Sequence, residues 1–325
     1  VKNDKIDSKG IAKLGLSKDI PVSQFPAKLV LELRSLTRKY YDLTDERSAH
    51  INKLKGDLHT VFPQYLDVFC DVTGKTSTMI LRQYGTPDKI LRGHKKTMIE
   101  KISKASRKGL AKASERYEKL CAAANAAKTF GCQIDSIYFN IFLTLDLVEK
   151  LDSALDSILN RIRQLITFNK NEKFIQQIKL LNTIPGVGFL TAVTIMCEIG
   201  DFSAFRNPKQ LFAYFGLDPE VNESGKFVGT QLHMSKRGSR IARRAIFAVA
   251  LASIRTKRNG EGINPYLRKY YELKSGQKPK MVAIGAVMHK VCNIVFAVLR
   301  DEKAFELRSP EEHCKQYQRP ALAAA

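Results

Sequence analysis

Apolar side chains recur along most of this chain at the spacing of helices. Leu29, Leu33, Leu36, Tyr40, Leu43, Arg47, His50 and Leu54 alternate steps of four and three, a heptad seam that Arg47 and His50 interrupt. Pro26 precedes this stretch and Pro63 follows it, as suits a single long helix between them. Val148, Leu151, Leu155, Ile158, Ile162 and Leu165 make a second seam. Between the two, Gly74, Gly85-Thr86-Pro87 and Gly93 mark turns and short helices, and the stretch from about Ile99 to Lys128 reads as another helix, basic at its start. The pattern predicts a mainly α chain with a coiled-coil-like helical arm. A packed bundle with charged outer faces fits the same spacing. Strong heptads also predict a homo-oligomer, at least a dimer.

The texture changes near Lys179. Leu181-Asn182-Thr183-Ile184-Pro185-Gly186-Val187-Gly188 runs into Thr191-Ala192 and reads as the turn of a helix-hairpin-helix. Gly186 and Gly188 permit a tight turn and close backbone approach. The following helix would aim its free N–H groups and positive dipole end at an anion, in a basic protein a nucleic-acid phosphate. The bland alternative is an ordinary helix–helix turn with a C-cap glycine. An apolar helix through Leu211, Phe212 and Tyr214 follows, then a loop from Gly216 to Gly229. From Ser224 to Arg258 there are nine Lys and Arg residues and no Asp or Glu. Ser239 is placed to cap the next helix, and Arg240, Arg243 and Arg244 then share one face at i, i+3, i+4. With Lys226, Ser235, Lys236 and Arg237 they are the candidate phosphate contacts; a solvated basic face is the alternative.

Composition strengthens the nucleic-acid reading. Lys and Arg total 54 against 32 Asp and Glu, a formal net charge of +22, which favours polyanionic partners and salt-sensitive association. An anionic membrane surface is the rival partner. The best apolar run, Ala283 to Leu299, is broken by His289, Lys290 and Asn293, and no run approaches the roughly 18 uninterrupted residues of a span. The six cysteines are scattered without a C-x-x-C pair, which suits free thiols in a reducing cytosol and argues against zinc. The abrupt charged start at Val1 predicts an N-terminal truncation.

Several motifs occur in order: Lys2-Asn3-Asp4-Lys5-Ile6-Asp7, Ile184-Pro185-Gly186-Val187-Gly188, Ala213-Tyr214-Phe215-Gly216-Leu217-Asp218-Pro219, Glu223-Ser224-Gly225 and Met234-Ser235-Lys236-Arg237-Gly238. Through them the chain resembles transposases of the insertion sequence one-hundred-ten family, related to the Piv DNA invertase. The resemblance covers nearly the whole chain. It implies an α/β RuvC-like domain with an Asp-Glu-Asp-Asp tetrad, of which residues 1–24 are the C-terminal remnant. It further implies a coiled-coil arm at 25–176, a transposase domain with a helix-hairpin-helix and a catalytic serine at 177–310, and a tail at 311–325. Asp4 and Asp7 match the last two acids of the tetrad and would hold Mg²⁺. The first two acids would lie upstream of Val1, so the chain as it stands is expected to bind and not to recombine. Ser224 matches the catalytic serine. From pattern alone Asp4 and Asp7 read as a solvated Lys/Asp alternation, and Ser224 as a turn former. The implied partners are DNA, a structured non-coding guide RNA and further copies of the chain, as dimer or tetramer. The implied setting is a bacterial or archaeal cytoplasm, with no membrane. The other functional classes are a non-catalytic helix-hairpin-helix module binding DNA or its junctions and an RNA-binding structural protein using the basic arm.

Overall fold

The structure, a computed structural model, describes residues 4–16, 26–220, 223–224, 227–228 and 233–317. At residues 4–6, in the strands 223–224 and 227–228, and at residues 310, 314, 316 and 317 it describes the backbone alone. The chain is mainly helical. In order come α1 (Asp4–Leu16), α2 (Lys28–Val61), α3 (Tyr65–Val68), α4 (Lys75–Gln83), α5 (Pro87–Arg92), α6 (Lys95–Ser106), α7 (Leu110–Phe130) and α8 (Asp135–Phe168). Then come α9 (Lys173–Leu181), α10 (Phe189–Ile199), α11 (Pro208–Tyr214), β1 (Glu223–Ser224), β2 (Phe227–Val228), α12 (Arg240–Ser253), α13 (Pro265–Ser275), α14 (Lys280–Asp301) and α15 (Pro310–Tyr317). They form two compact units. Residues 35–176 make an arm unit; residues 1–34 and 177–325 together make a terminal unit.

In the arm unit the core is an aromatic and aliphatic cluster that includes Leu54, Leu58, Phe62, Tyr65, Ile80 and Met98. The Tyr65 ring lies 5.1 Å from Phe62 and 4.9 Å from Phe69, and its hydroxyl is satisfied by the Ser77 carbonyl at 3.0 Å. A buried phenol needs such a partner. Thr86 caps α5 by accepting from the Lys89 amide, with Pro87 at the first helical position where its missing N–H costs nothing.

The two long helices of this unit run antiparallel. The start of α8 meets the end of α2, where the Cys132 amide donates to the Thr60 carbonyl. Further along, Arg47 makes two bonds to Asp152, Nε to Oδ1 at 2.5 Å and Nη2 to Oδ2 at 3.2 Å. The charge that breaks the first seam is therefore answered by a carboxylate on the helix bearing the second. That hydrogen bond raises the Arg47 pKa above its ordinary value, against the opposing effect of burial. Both side chains are partly exposed, so the pair contributes only about 0.2–1 kcal/mol; its role is to fix register. Leu43, Leu54, Val148, Leu155 and Ile162 are buried within the single chain. The heptads alone therefore do not require a second copy.

In the terminal unit α14 is the central helix, packed on α11, α12 and α13, while α10 packs on α12. Ala283, Val287, Val291, Cys292 and Val295 are fully buried. By length and composition α14 could cross a membrane, but its window is mostly buried inside the protein, as in the core helix of a folded domain. Residues 192–199 of α10 are all buried, which accounts for its being apolar on every face. The Arg34 Nε donates to the Cys197 carbonyl at 2.7 Å, tying the first turns of α2 to the end of α10.

Candidate nucleic-acid interface and serine hairpin

Two helices, α9 and α10, flank the glycine turn, and its two glycines do different work. Gly186 has φ +97°, and a Cβ there would sit 2.5 Å from the Ser253 Oγ and 2.9 Å from the Ser253 amide nitrogen. The Ser253 hydroxyl in turn donates to the Pro185 carbonyl at 2.9 Å. Gly186 thus allows the turn to close on the end of α12, inside the protein. Gly188 is the N-cap of α10, at φ −84° and ψ 165°, with no side-chain cap bond. Nothing lies within 4 Å of a Cβ built on it. The outward face of the turn belongs to Gly188. Gly186→Ala should therefore cost about 1–3 kcal/mol from positive φ and overlap together. Gly188→Ala should leave the thermal unfolding midpoint nearly unchanged. Equal midpoint losses in the two variants would contradict this division.

The stretch expected as a loop is a narrow hairpin with a built stem. Opposite chain segments pair where the Ser235 amide donates to the Asp218 carbonyl at 2.8 Å and the Glu220 amide to the His233 carbonyl at 2.7 Å. The Lys236 amide closes the base on the Gly216 carbonyl at 3.0 Å. Gly216 has φ +65°, and a Cβ on Gly238 would overlap the Tyr214 carbonyl oxygen, so the two segments touch backbone to backbone. Asp218 adds a side-chain lock. It accepts from the Ser235 hydroxyl at 2.5 Å and stands 3.8 Å from Arg237.

Arg243 crosses the base of this stem. Its Nη1 lies within bonding distance of three carbonyl oxygens, Phe215 at 3.2 Å, Lys236 at 3.1 Å and Gly238 at 2.7 Å. Helical spacing groups Arg243 with Arg240 and Arg244, yet its guanidinium joins the two sides of the stem. Ser239 caps α12 by accepting from the Ala242 amide at 3.2 Å. Arg240 is exposed and Arg244 half-buried on the first turns of that helix. Cations there oppose the helix dipole, and α12 has no acid in its first turn to offset them. A bound anion would relieve both.

At the outer end, β1 and β2 pair antiparallel, Glu223 opposite Val228 and Ser224 opposite Phe227. Ser224 is thus the last strand residue before the connection. Lys226 lies outside the described residues. His233, the nearest histidine in sequence, is exposed on the returning side of the stem. Asp4 and Asp7 are on α1, one turn apart, with Asp7 exposed. Among the described residues no group of three or more His, Cys, Asp or Glu gathers. Burial pushes the Cys197 thiol up to about 12 and also raises that of Cys292. Both stay protonated and are poor nucleophiles.

Sequence comparison gives this geometry its setting. Residues 178–272 match the profile described as "Transposase IS116/IS110/IS902 family", and residues 1–63 match a DEDD transposase profile of IS110 type. Two stretches of the chain are thus similar to domains of the IS110/IS116/IS902 transposase family, the N-terminal one only in part. The first family match spans α10, the stem, the serine hairpin and α12. The chain is 23% identical over 286 residues to an uncharacterised 43.6 kDa protein of the insertion element IS110 from Streptomyces coelicolor, covering 87% of this chain and 66% of that protein. It is 24% identical to an uncharacterised 44.8 kDa protein of the insertion element IS116 from Streptomyces clavuligerus, covering 95% of this chain and 74% of that one. A pilin gene-inverting protein of Moraxella bovis is 30% identical over 177 residues, 54% of this chain and 52% of that protein. The chain thus spans about half to three-quarters of the length of these relatives.

Proposed function

We propose that this chain is part of a DNA transposase that breaks and rejoins DNA through Ser224. One observation carries the reading: Ser224 stands at the outer end of a hairpin whose base is locked to a basic helix start. Both the hairpin and that basic helix start lie within the stretch matching the transposase family, which supports the reading. In the step proposed, the Ser224 Oγ attacks a backbone phosphorus. An Oγ–P bond forms, one P–O bond to a sugar breaks, the serine proton leaves, and the departing sugar oxygen gains one. A sugar hydroxyl from the second duplex then reverses the exchange. Binding energy from phosphate contacts holds the duplex and need not read sequence. Arg240, Arg244, Lys236, Arg237 and Lys226, with Gly188 and the start of α10, are the proposed contacts. A structured guide RNA is the proposed source of sequence choice.

A serine hydroxyl needs activation to act as nucleophile. Mg²⁺ is the cofactor the family resemblance implies; Asp4 and Asp7 would hold it, with waters and a DNA phosphate completing its oxygen shell. The deciding experiment incubates the full-length protein with its RNA and two plasmid substrates, denatures, digests and maps any DNA-linked peptide. A phosphoserine adduct on the peptide containing Ser224 is expected. Recombination proceeding with no adduct, even on nicked substrates that trap intermediates, would remove the serine mechanism. Tight DNA binding with neither adduct nor recombination would leave the non-catalytic DNA-binding reading.

A further inference from the structure

We propose that the α6–α7 face of the arm unit is a docking surface for the sugar–phosphate backbone of duplex DNA, separate from the serine hairpin. This rests on the recombinase reading for its partner, because that reaction presents long duplex DNA. Charge is concentrated on this face. Residues 95–119 hold nine Lys and Arg against three Asp and Glu, whereas the rest of residues 35–176 holds 15 against 13. The excess of the whole arm unit therefore sits largely in one helical hairpin.

The cations converge on a groove of about 160 Å³ lined by Asp67, Val68, Ser106, Lys108, Lys112, Glu115, Arg116 and Lys119. Lys112, Arg116 and Lys119 climb one face of α7 in steps of about 4.5–6 Å. Lys108 joins them from the turn before it. That turn is held open, with Arg107 at φ 54° and Gly109 at φ 80°. Within the groove the only ion pair is Lys119 with Glu115 at 2.7 Å, among the described residues. The Glu115 carboxyl is held below its usual value first by that hydrogen bond and then by the charge of Lys119, with Lys112 and Arg116 adding to it.

The chemistry selects the partner. Val68 is the one apolar side chain lining the groove, whereas a protein interface needs a desolvated apolar centre. Single strands need exposed aromatic faces on which bases stack. Here Arg116 covers Phe69, Lys101 covers Tyr84 and Lys95 covers Tyr117. What remains is a row of point charges, suited to phosphates along a duplex.

The test measures binding of the full chain to a short duplex DNA by fluorescence anisotropy, between about 50 and 200 mM salt. Lys108→Gln, Lys112→Gln and Lys119→Gln are combined in one variant. Lys39→Gln, Lys53→Gln and Lys150→Gln, elsewhere on the same unit, form the charge-matched control. The groove variant should lower the slope of log K against log salt by about 0.9 for each lost phosphate contact and weaken binding roughly tenfold at the higher salt. The control should change affinity less than about twofold. Arginine at the same three groove positions should restore binding, which separates charge from folding. A groove variant that binds like the control overturns the proposal, and so does one that loses structured RNA while keeping duplex DNA. The two readings fail separately. Absence of the Ser224 adduct with the groove effect intact removes only the recombinase chemistry.

Discussion

Ser224→Ala is expected to abolish strand transfer while leaving DNA and RNA affinity nearly unchanged. A nucleophilic oxygen contributes to bond breaking and little to the ground state, so its loss falls on the rate and not on binding. The other two serines of the region serve as internal controls, because the structure gives each a different job. Ser239 caps α12 through the Ala242 amide, and Ser239→Ala should cost about 1 kcal/mol of stability with recombination reduced but present. Ser235 is bonded to Asp218, and Ser235→Ala should loosen the stem without stopping the reaction. Plasmid recombination by the full-length protein, with filter binding alongside, reads all three. Full recombination by Ser224→Ala sinks the serine mechanism, and loss of recombination in all three equally would point to folding.

Arg243→Met and Gly238→Ala should produce the next largest effects, by different routes. Methionine fills similar volume and leaves the Phe215, Lys236 and Gly238 carbonyls without their shared donor. The hairpin then pivots on its base. A displacement of about 1 Å at the reacting group can lower the rate roughly 100-fold, while DNA affinity should fall only as far as one charge allows. Gly238→Ala acts on the fold, because its Cβ has no room beside the Tyr214 carbonyl oxygen. A loss of about 3 kcal/mol is expected, lowering Tm by roughly 5–10 °C. If Arg243→Met instead weakens DNA binding strongly and leaves the rate per bound complex intact, Arg243 is a phosphate contact after all.

The helices were legible because their signal is local. Apolar spacing located α2 and the second half of α8, and Ser239 ahead of Arg240 marked the start of α12, but the single helix expected from about Ile99 to Lys128 is two, α6 and α7, parted by the turn at Arg107 and Gly109. The hairpin was not legible. Its strands are two residues each, too short for alternation to show, and its stem depends on Gly216 meeting Gly238 across the intervening sequence. Arg243 misled for a related reason. Helix periodicity reports the face on which a side chain begins, and tertiary carbonyls captured its far end. Asp218 carried no signal of its own, since a carboxylate in a loop near a proline reads as a turn residue. The two seams were legible as seams; that α2 and α8 pair with each other shows only in the folded chain, in contacts such as Arg47 with Asp152.

The tie between Arg34 and the Cys197 carbonyl joins groups 163 residues apart in sequence. The arm unit is thus an insertion within the terminal unit, and the order of synthesis matters. Emerging from the ribosome, the first turns of α2 cannot make their tie to α10 until α10 has been made, whereas the arm can fold as one continuous piece in the interval. The apolar α14 comes later still, so the terminal unit must keep its share of hydrophobic surface from aggregating until α14 has been made. Translation speed between α2 and α14 should then bear on how much folded protein a cell obtains.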